Sequence, residues 1–480
     1  MTDYSHKSIA VIGMARTGLA VAEVVRDLGA RVVLYDKKPG SELAEAMDLA
    51  ARLGVEARAG TDEVDFSDID VLIPSPGVAR TLPVFAEAQS RGVRIISEIE
   101  LAYTLSRAPI IAITGTNGKT TTTVLTGRML AADGRDVYIA GNVAASDIRL
   151  PLVTAAHKAS EHSVIVAEIS TFQLEWIRAF RPKIGVLLNV TSDHMDRHAS
   201  VEEYAQLKTR IFENQTPDDL AVINAENPFT ASLAPQLNAR VLKFARKTPV
   251  DEGVFVAGDE VIVRLSGRET AVCARSDIPL RGEHNVENVL AASCAAMAFG
   301  AKPESVLEAI RAFRPVEHRL ESVAVIDGVE YINNSMCTNV DAAVRSVEAI
   351  NEPQVVIAGG KDKGSDYTAL GEAFKRKAKH VVLIGADAHL IRAAAENAGF
   401  SAVTDAGSME EAVEAARELA EPGDVVVLTP ACASFDMFSS FEDRGRVFKQ
   451  IVVSYKTDSV QEAPNSHHEN TKERKHEIKE

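Results

Sequence analysis

The run Pro109-Ile-Ile-Ala-Ile-Thr-Gly115-Thr-Asn-Gly118-Lys119-Thr120-Thr121 sets a lysine and two hydroxyls directly behind a glycine turn. An apolar strand leads into that turn and a helix leads out, so backbone N–H groups of Gly115, Thr116, Asn117 and Gly118 can converge on phosphate oxygens at a positive helix end. Lys119 is placed to pair with the outer phosphates of a nucleotide, and the Thr120 hydroxyl to meet Mg²⁺. Ile113 stands where the general pattern GxxxxGK[ST] has its first glycine. The flanking strand and helix therefore carry more of the argument than the GKT triplet itself, which ordinary turns also contain.

Two further strands end in ionisable groups. Glu168 closes the apolar run Val164–Ala167, and a carboxylate at the carboxyl end of a parallel strand points into the crevice where ligands bind. The next apolar run ends in Asn189-Val-Thr-Ser-Asp193-His194-Met-Asp196-Arg197-His198. By the same topology, Glu168 and His194 can hold a hard cation beside the phosphates, with water completing its shell. The bland readings are an acid at a helix start and a structural histidine. Lys208, within Tyr204–Phe212, reads on its own as a surface lysine.

The elements that must position these groups are short β-branched runs alternating with Ala-rich amphipathic stretches. They include Ser8–Ile12, Val32–Tyr35, Val71–Ile73, Ile110–Ile113, Gly185–Asn189, Val355–Ala358, Val381–Ile384 and Val425–Thr429. Near-continuous apolar strands alternating with helices predict α/β domains with parallel sheets covered on both faces. The 480 residues suit three such domains, placed at 1–97, 98–314 and 315–455: a Rossmann-like N-terminal domain, a central P-loop ATPase-like domain and a C-terminal Rossmann-like α/β domain. Val254–Ser266 and Thr270–Cys273 read as a small antiparallel insertion in the second. Residues 456–480 are polar and mixed in charge, which predicts a disordered tail.

A net charge of −16 argues against nucleic-acid binding, which needs a basic footprint. Four scattered cysteines without a CxxC pair suit reduced thiols. With no signal-peptide pattern and no stretch near the roughly 20 apolar residues of a membrane span, the chain is expected to be cytoplasmic. At the N-terminus, Gly13-Met-Ala-Arg-Thr-Gly18 follows a strand and Asp36 ends the next, as in a dinucleotide fingerprint. The middle glycine of that pattern is Ala15 here, which keeps a backbone away from a pyrophosphate and weakens an NAD reading.

Gly115-Thr-Asn-Gly-Lys-Thr-Thr121 resembles the loop of the muramyl ligases and folylpolyglutamate synthases, and the motifs of the rest of the chain, to about Tyr455, resemble the D-glutamate-adding members of the muramyl ligase family. The resemblance implies ATP-dependent joining of D-glutamate to UDP-N-acetylmuramoyl-L-alanine through an acyl phosphate, a step of peptidoglycan precursor synthesis, by a monomer. It implies two Mg²⁺ ions near Thr120, Glu168, His194 and Lys208, with Lys208 carrying a CO₂-derived carbamate. Asn285 and Asn288, in Leu280–Asn288, match the adenine-contacting amides. His318 and Arg319 match the hinge residues that reach nucleotide phosphates when the domains close. Arg16, Thr17, Asp36, Gly77, Asn142 and Ser170 fall where the family grips its UDP-substrate. Thr338, Lys363, Ser434 and Phe441 fall where it grips D-glutamate.

One segment departs. The family commonly has Asn-Asp-Ser-Lys-Ala-Thr-Asn where this chain has Asn333-Asn-Ser-Met-Cys-Thr-Asn339, so Asn334 and Met336 replace an acid and a lysine. One charge of each sign is lost, which points to a compensated variant and puts both contacts in question. Ligation of a different amino acid, a non-catalytic nucleotide-binding protein and a dehydrogenase are the alternatives. Amino-acid-dependent ADP release separates them.

Overall fold

The computed structural model describes residues 3–143, 148, 150–191 and 200–461, with backbone alone for 456–461. Three sheets organise them. The first contains β1 (Ser8–Ile12), β2 (Arg31–Asp36), β3 (Glu56–Ala59), β4 (Val71–Pro74) and β5 (Arg94–Ile95), in the order β3-β2-β1-β4-β5 and all parallel. Ile9 to Ile12 are buried on both faces because the crossover helices cover the sheet. One of them, Arg16–Asp27, buries Ala20, Val21, Val24 and Val25, the recurring apolar stripe of an amphipathic helix.

The second sheet has nine strands: β6 (Ile110–Thr114), β7 (Asp136–Gly141), β8 (Ser163–Glu168), β9 (Ile184–Leu187), β10 (Leu220–Asn224), β11 (Arg240–Ala245), β12 (Gly253–Ala257), β13 (Glu260–Leu265) and β14 (Arg268–Ala274). Their order is β14-β13-β12-β11-β10-β9-β6-β8-β7. The segment read from sequence as an antiparallel insertion is the continuing edge of this sheet. β12 pairs parallel with β11, and β13 and β14 fold back on it as hairpins. The first two sheets share one apolar core, in which Val11, Ile99, Leu101, Leu152 and Ile165 all take part.

The third sheet joins β15 (Glu321–Ile326), β16 (Val329–Asn333), β17 (Gln354–Gly359), β18 (Ala378–Ile384), β19 (Val403–Asp405) and β20 (Val425–Leu428), ordered β15-β16-β20-β17-β18-β19. Only the β15–β16 pair is antiparallel. Backbone contacts divide the chain into two compact units at Glu317/His318, with Lys363–Ser365 falling in the first. The last helix spans Phe441–Gln461, past Tyr455 and into the polar stretch read as a tail. Among the described residues, no helix is long and apolar enough to cross a membrane.

Candidate active site

β6 is an interior strand of the second sheet's parallel part, between β8 and β9. Its carboxyl end runs into Gly115–Gly118 and then the helix Lys119–Ala132. Gly118 has φ +86°, and a Cβ there would lie 2.1 Å from Asn288 Oδ1. Only glycine tolerates both the left-handed backbone and that approach. Gly118→Ala is therefore expected to displace Asn288, to raise the KM for ATP and to lower stability by about 1–3 kcal/mol. Nucleotide titration and denaturant unfolding check this.

The loop is braced from β9. Asn189 accepts from Asn117 N–H (2.9 Å) through Oδ1 and donates to Asn117 O (3.1 Å) through Nδ2. Thr116 N–H donates to Asn189 O at 2.9 Å, and Thr191 N–H donates to Thr116 Oγ1 at 3.0 Å. Sequence reading passed over Asn189 as a brace. A polar amide ending an apolar strand was the available signal.

Register pairing sets Glu168, the last residue of β8, beside Ile113. The Thr120 hydroxyl donates to Glu168 Oε2 at 2.7 Å, and both side chains are buried. Lys208 is buried to 1% exposure, not on the surface as its sequence context alone implied. Its Nζ lies 4.3 Å from the centroid of the Tyr204 ring and donates to Gly115 O at 2.8 Å. Lys119 Nζ donates to the same Gly115 carbonyl (3.0 Å) and to Thr116 O (2.8 Å). Four residues predicted to act together, Lys119, Thr120, Glu168 and Lys208, thus meet around the loop. His194 lies outside the described residues.

The buried hydroxyl–carboxylate pair supplies the oxygen donors a hard cation requires. Lys208 as an ammonium does not fit as a metal ligand, because it has no lone pair to offer.

Asn285 and Asn288 sit on the helix Glu283–Ala298, one turn apart, and are buried. Asn288 Nδ2 donates to Asn285 Oδ1 at 3.0 Å, Asn285 Nδ2 donates to Arg281 O at 2.7 Å, and Thr122 Oγ1 donates to Asn288 Oδ1 at 3.4 Å. The two amides predicted to read adenine are thereby tied to the phosphate-loop helix. Thr121 is buried on that same helix.

In the first sheet, Asp36 binds backbone with both oxygens: Met14 N–H donates to it at 2.8 Å and Lys38 N–H at 3.0 Å. The Gly13 turn is thus held from β2, with Arg16 and Thr17 opening the following helix. A Cβ at Gly18 would strike Gly13 O at 1.8 Å, so the turn closes only with glycine there. Ser75 Oγ donates to Gly13 O at 3.0 Å, bringing the Ser75–Gly77 segment alongside. Asn142, exposed, follows β7, and its N–H donates to Glu168 O at 2.9 Å. Ser170 caps the short helix Thr171–Leu174 two residues past Glu168.

The second unit contains Thr338, Ser434, Phe441, His318 and Arg319, whereas Lys363 falls in the first. His318 is buried, with φ +64°. Asn333 Nδ2 donates to its Nδ1 at 2.9 Å, which puts the ring proton of the neutral tautomer on Nε2. Sequence reading missed Arg444. Its fully buried guanidinium donates to Ser335 Oγ (3.0 Å), Ser335 O (2.9 Å), Cys432 O (3.2 Å) and Ala433 O (3.3 Å). It pins the loop before Ser434 to the loop after β16, and burial pushes it down to about 10.

The departing segment now has a physical account. Asn334 Oδ1 accepts from Leu320 N–H (3.1 Å), while Nδ2 donates to Ser346 Oγ (2.7 Å) and Thr429 Oγ1 (3.1 Å). Ser346 spends its own proton on Ala342 O at 2.8 Å. The pocket around residue 334 is thus built for an amide donor. Asn334→Asp is expected to set a carboxylate oxygen against the Ser346 oxygen, whose proton is already committed, and to cost about 1–3 kcal/mol, read by urea unfolding. Met336 is half-buried, and nothing in the structure explains the loss of the lysine there.

Sheet topology makes the first unit an α/β protein, with a glycine turn between β6 and the Lys119–Ala132 helix of the kind that phosphate loops have. Residues 7–97 match the family described as Mur ligase MurD-like, N-terminal domain. Residues 113–296 match Mur ligase middle domain, and 318–432 match Mur ligase, glutamate ligase domain. The UDP-N-acetylmuramoylalanine–D-glutamate ligase of Pelotomaculum thermopropionicum is 45% identical over 95% of this chain and 99% of its own. The protein of that name from Caldanaerobacter subterraneus is 42% identical over 94% and 99%. Among solved structures, the UDP-N-acetylmuramate-alanine ligase MurC of Thermotoga maritima superposes with TM-score 0.61 at 20% identity, covering 94% of this chain and all of its own. The MurF ligase of Thermotoga maritima, in complex with ADP, gives 0.61 at 16% over 95% and 100%. These two likenesses speak to the fold. The chain belongs to the Mur ligase family.

Proposed function

We propose that the protein joins D-glutamate to UDP-N-acetylmuramoyl-L-alanine, consuming ATP and releasing ADP and phosphate, in peptidoglycan precursor synthesis. The reading rests on the near-full-length likeness to ligases of that name, and the buried Thr120–Glu168 pair beside the phosphate loop supplies the matching chemistry.

Residues 1–97 bind the UDP-substrate through Arg16, Thr17, Asp36 and Gly77, with Asn142 and Ser170 nearer the reacting end. Residues 98–314 bind ATP at Gly115–Thr121, with Asn285 and Asn288 toward the base. Residues 315–455 bind D-glutamate through Thr338, Ser434 and Phe441, and Lys363 serves the same ligand. Thr120, Glu168 and His194, joined by a Lys208 carbamate, hold Mg²⁺, which when bound supplies positive charge at the phosphate oxygens.

The alanyl carboxylate attacks the γ-phosphorus and ADP leaves. Lys119 exchanges its bonds to the Gly115 and Thr116 carbonyls for stronger, charge-assisted ones to phosphate. His318 and Arg319 add donors on the phosphate side. The D-glutamate amine then attacks the acyl carbon and phosphate departs, with positioning supplying much of the rate. The protein acts as a monomer in the cytoplasm.

ADP release that needs both the UDP-muramoyl-alanine acceptor and D-glutamate is the expected result. Equal turnover with L-glutamate or another amino acid would transfer the reading to a different ligase, a possibility that Met336 makes worth testing.

A further inference from the structure

Glu98 opens the helix Glu98–Leu105, and its carboxylate is buried, with the residue 2% exposed. Oε1 accepts the Val153 N–H at 2.7 Å, and the Leu152 N–H also turns toward the carboxylate. These are the first two N–H groups of the helix Leu152–Lys158, which no side chain of its own cap satisfies. Oε2 accepts Gln173 Nε2 at 3.4 Å. Gln173 Oε1 in turn accepts both the N–H (2.9 Å) and the hydroxyl (3.1 Å) of Ser170. One carboxylate therefore grips two elements that flank the end of β8. On one side, Leu150 O takes the Gly141 N–H at 2.9 Å and the next residue, Asn142, donates its N–H to Glu168 O. On the other side, Ser170 lies two residues past Glu168 in the chain.

We propose that Glu98 is a positioning residue of the ligation reaction, its carboxylate holding the Asn142 and Ser170 segments in register around Glu168 through the Leu152–Lys158 helix start and the Gln173 amide. The inference rests on the ligase reading.

The polarity of the relay is what makes it specific. Gln173 can donate to residue 98 and accept from Ser170 only if residue 98 presents a lone pair. A proton on Glu98, or an amide Nε2 there, turns the Gln173 side chain around and leaves the Ser170 N–H without its acceptor. Burial raises the Glu98 carboxyl to about 7, so the lone-pair form is present above that pH and lost below it. Few charges face the group. Glu175 lines the same small cavity, together with Ser75, Ser97 and Trp176. Glu100, on the same helix, is turned to the N–H groups of Arg178, Ala179 and Phe180. On the Leu152–Lys158 helix, His157 and Lys158 lie in the last turn, away from the end Glu98 holds. The Pro74–Val78 side of the cavity brings no titratable group.

The test is the pH dependence of kcat, with all substrates saturating, in wild type, Glu98→Gln, Gln173→Ala and the double variant Glu98→Gln/Gln173→Glu. Glu98→Gln should lose roughly tenfold or more in kcat at pH 8, with the KM for ATP within about twofold. The acid-side break of the wild type near pH 7 should vanish in both single variants. The double variant, which reverses donor and acceptor but keeps the relay, should recover to within about threefold of wild type. A kcat for Glu98→Gln within twofold of wild type overturns the proposal, as does an unchanged acid break in either single variant. Failure of the double variant to recover overturns it too. If Glu98→Gln does not fold, Gln173→Ala decides, since it leaves Glu98 in place and cuts only the relay. Absence of wild-type turnover would instead count against the ligase reading itself.

Discussion

Lys119→Ala should reduce amino-acid-dependent ADP release by about 10²–10³-fold, or roughly 3–4 kcal/mol of transition-state stabilisation. The expectation follows from where the ammonium stands. It rests on two carbonyls of its own loop, those of Gly115 and Thr116, at the start of the Lys119–Ala132 helix. Without it, the helix end and backbone N–H groups still attract phosphate, so ATP binding should weaken less than turnover does. Lys119→Arg should not rescue, because a larger planar guanidinium does not reproduce the point contact that an ammonium makes with phosphate oxygens from this position. Steady-state ADP release together with nucleotide titration checks both halves. A variant within tenfold of wild type would remove Lys119 from the reacting centre.

The second large effect is expected at Lys208. Its Nζ is buried against Tyr204 and bonded to Gly115 O, on the same loop whose Thr120 hydroxyl is bonded to Glu168. As an ammonium it would repel a cation held there. As a carbamate it would present oxygens of the kind a hard cation binds. Lys208→Arg keeps the positive charge and a donor for Gly115 O but cannot take up CO₂. Turnover should fall by roughly 10²-fold or more if the carbamate is the working form. Retention of activity within about threefold would assign Lys208 instead as a simple cation bracing the loop. A carbamate carbon resonance from ¹³C-bicarbonate, present in wild type and absent in the variant, reads the modification without relying on turnover.

Much of the fold could be read from residues alone. Strands such as β1 and β6 are short runs of buried β-branched residues, and their apolar character survives any arrangement of the sheets. The phosphate loop was legible because glycine, lysine and threonine have fixed local duties at a strand-to-helix turn. Glu168 was legible because the end of a parallel strand is a predictable place. The hairpin edge of the second sheet was less so: β12 to β14 show antiparallel character in sequence, but which strand they extend depends on register with β11. Lys208 was legible only through family likeness, since nothing in Tyr204–Phe212 tells a buried lysine from an exposed one.

By itself the sequence determined the element types, the phosphate loop and the family, because each depends on residues near one another in the chain. Tertiary structure decided who faces whom. Asn189 braces Asn117 across 72 positions, Glu98 meets Gln173 across 75, and Arg444 meets Ser335 across 109. It also decided that Asn334 is a donor among hydroxyls and not a lost charge. Such pairings depend on burial and on the direction of each hydrogen bond. Both are set by the packing of distant segments, and neither leaves a periodic trace along the chain.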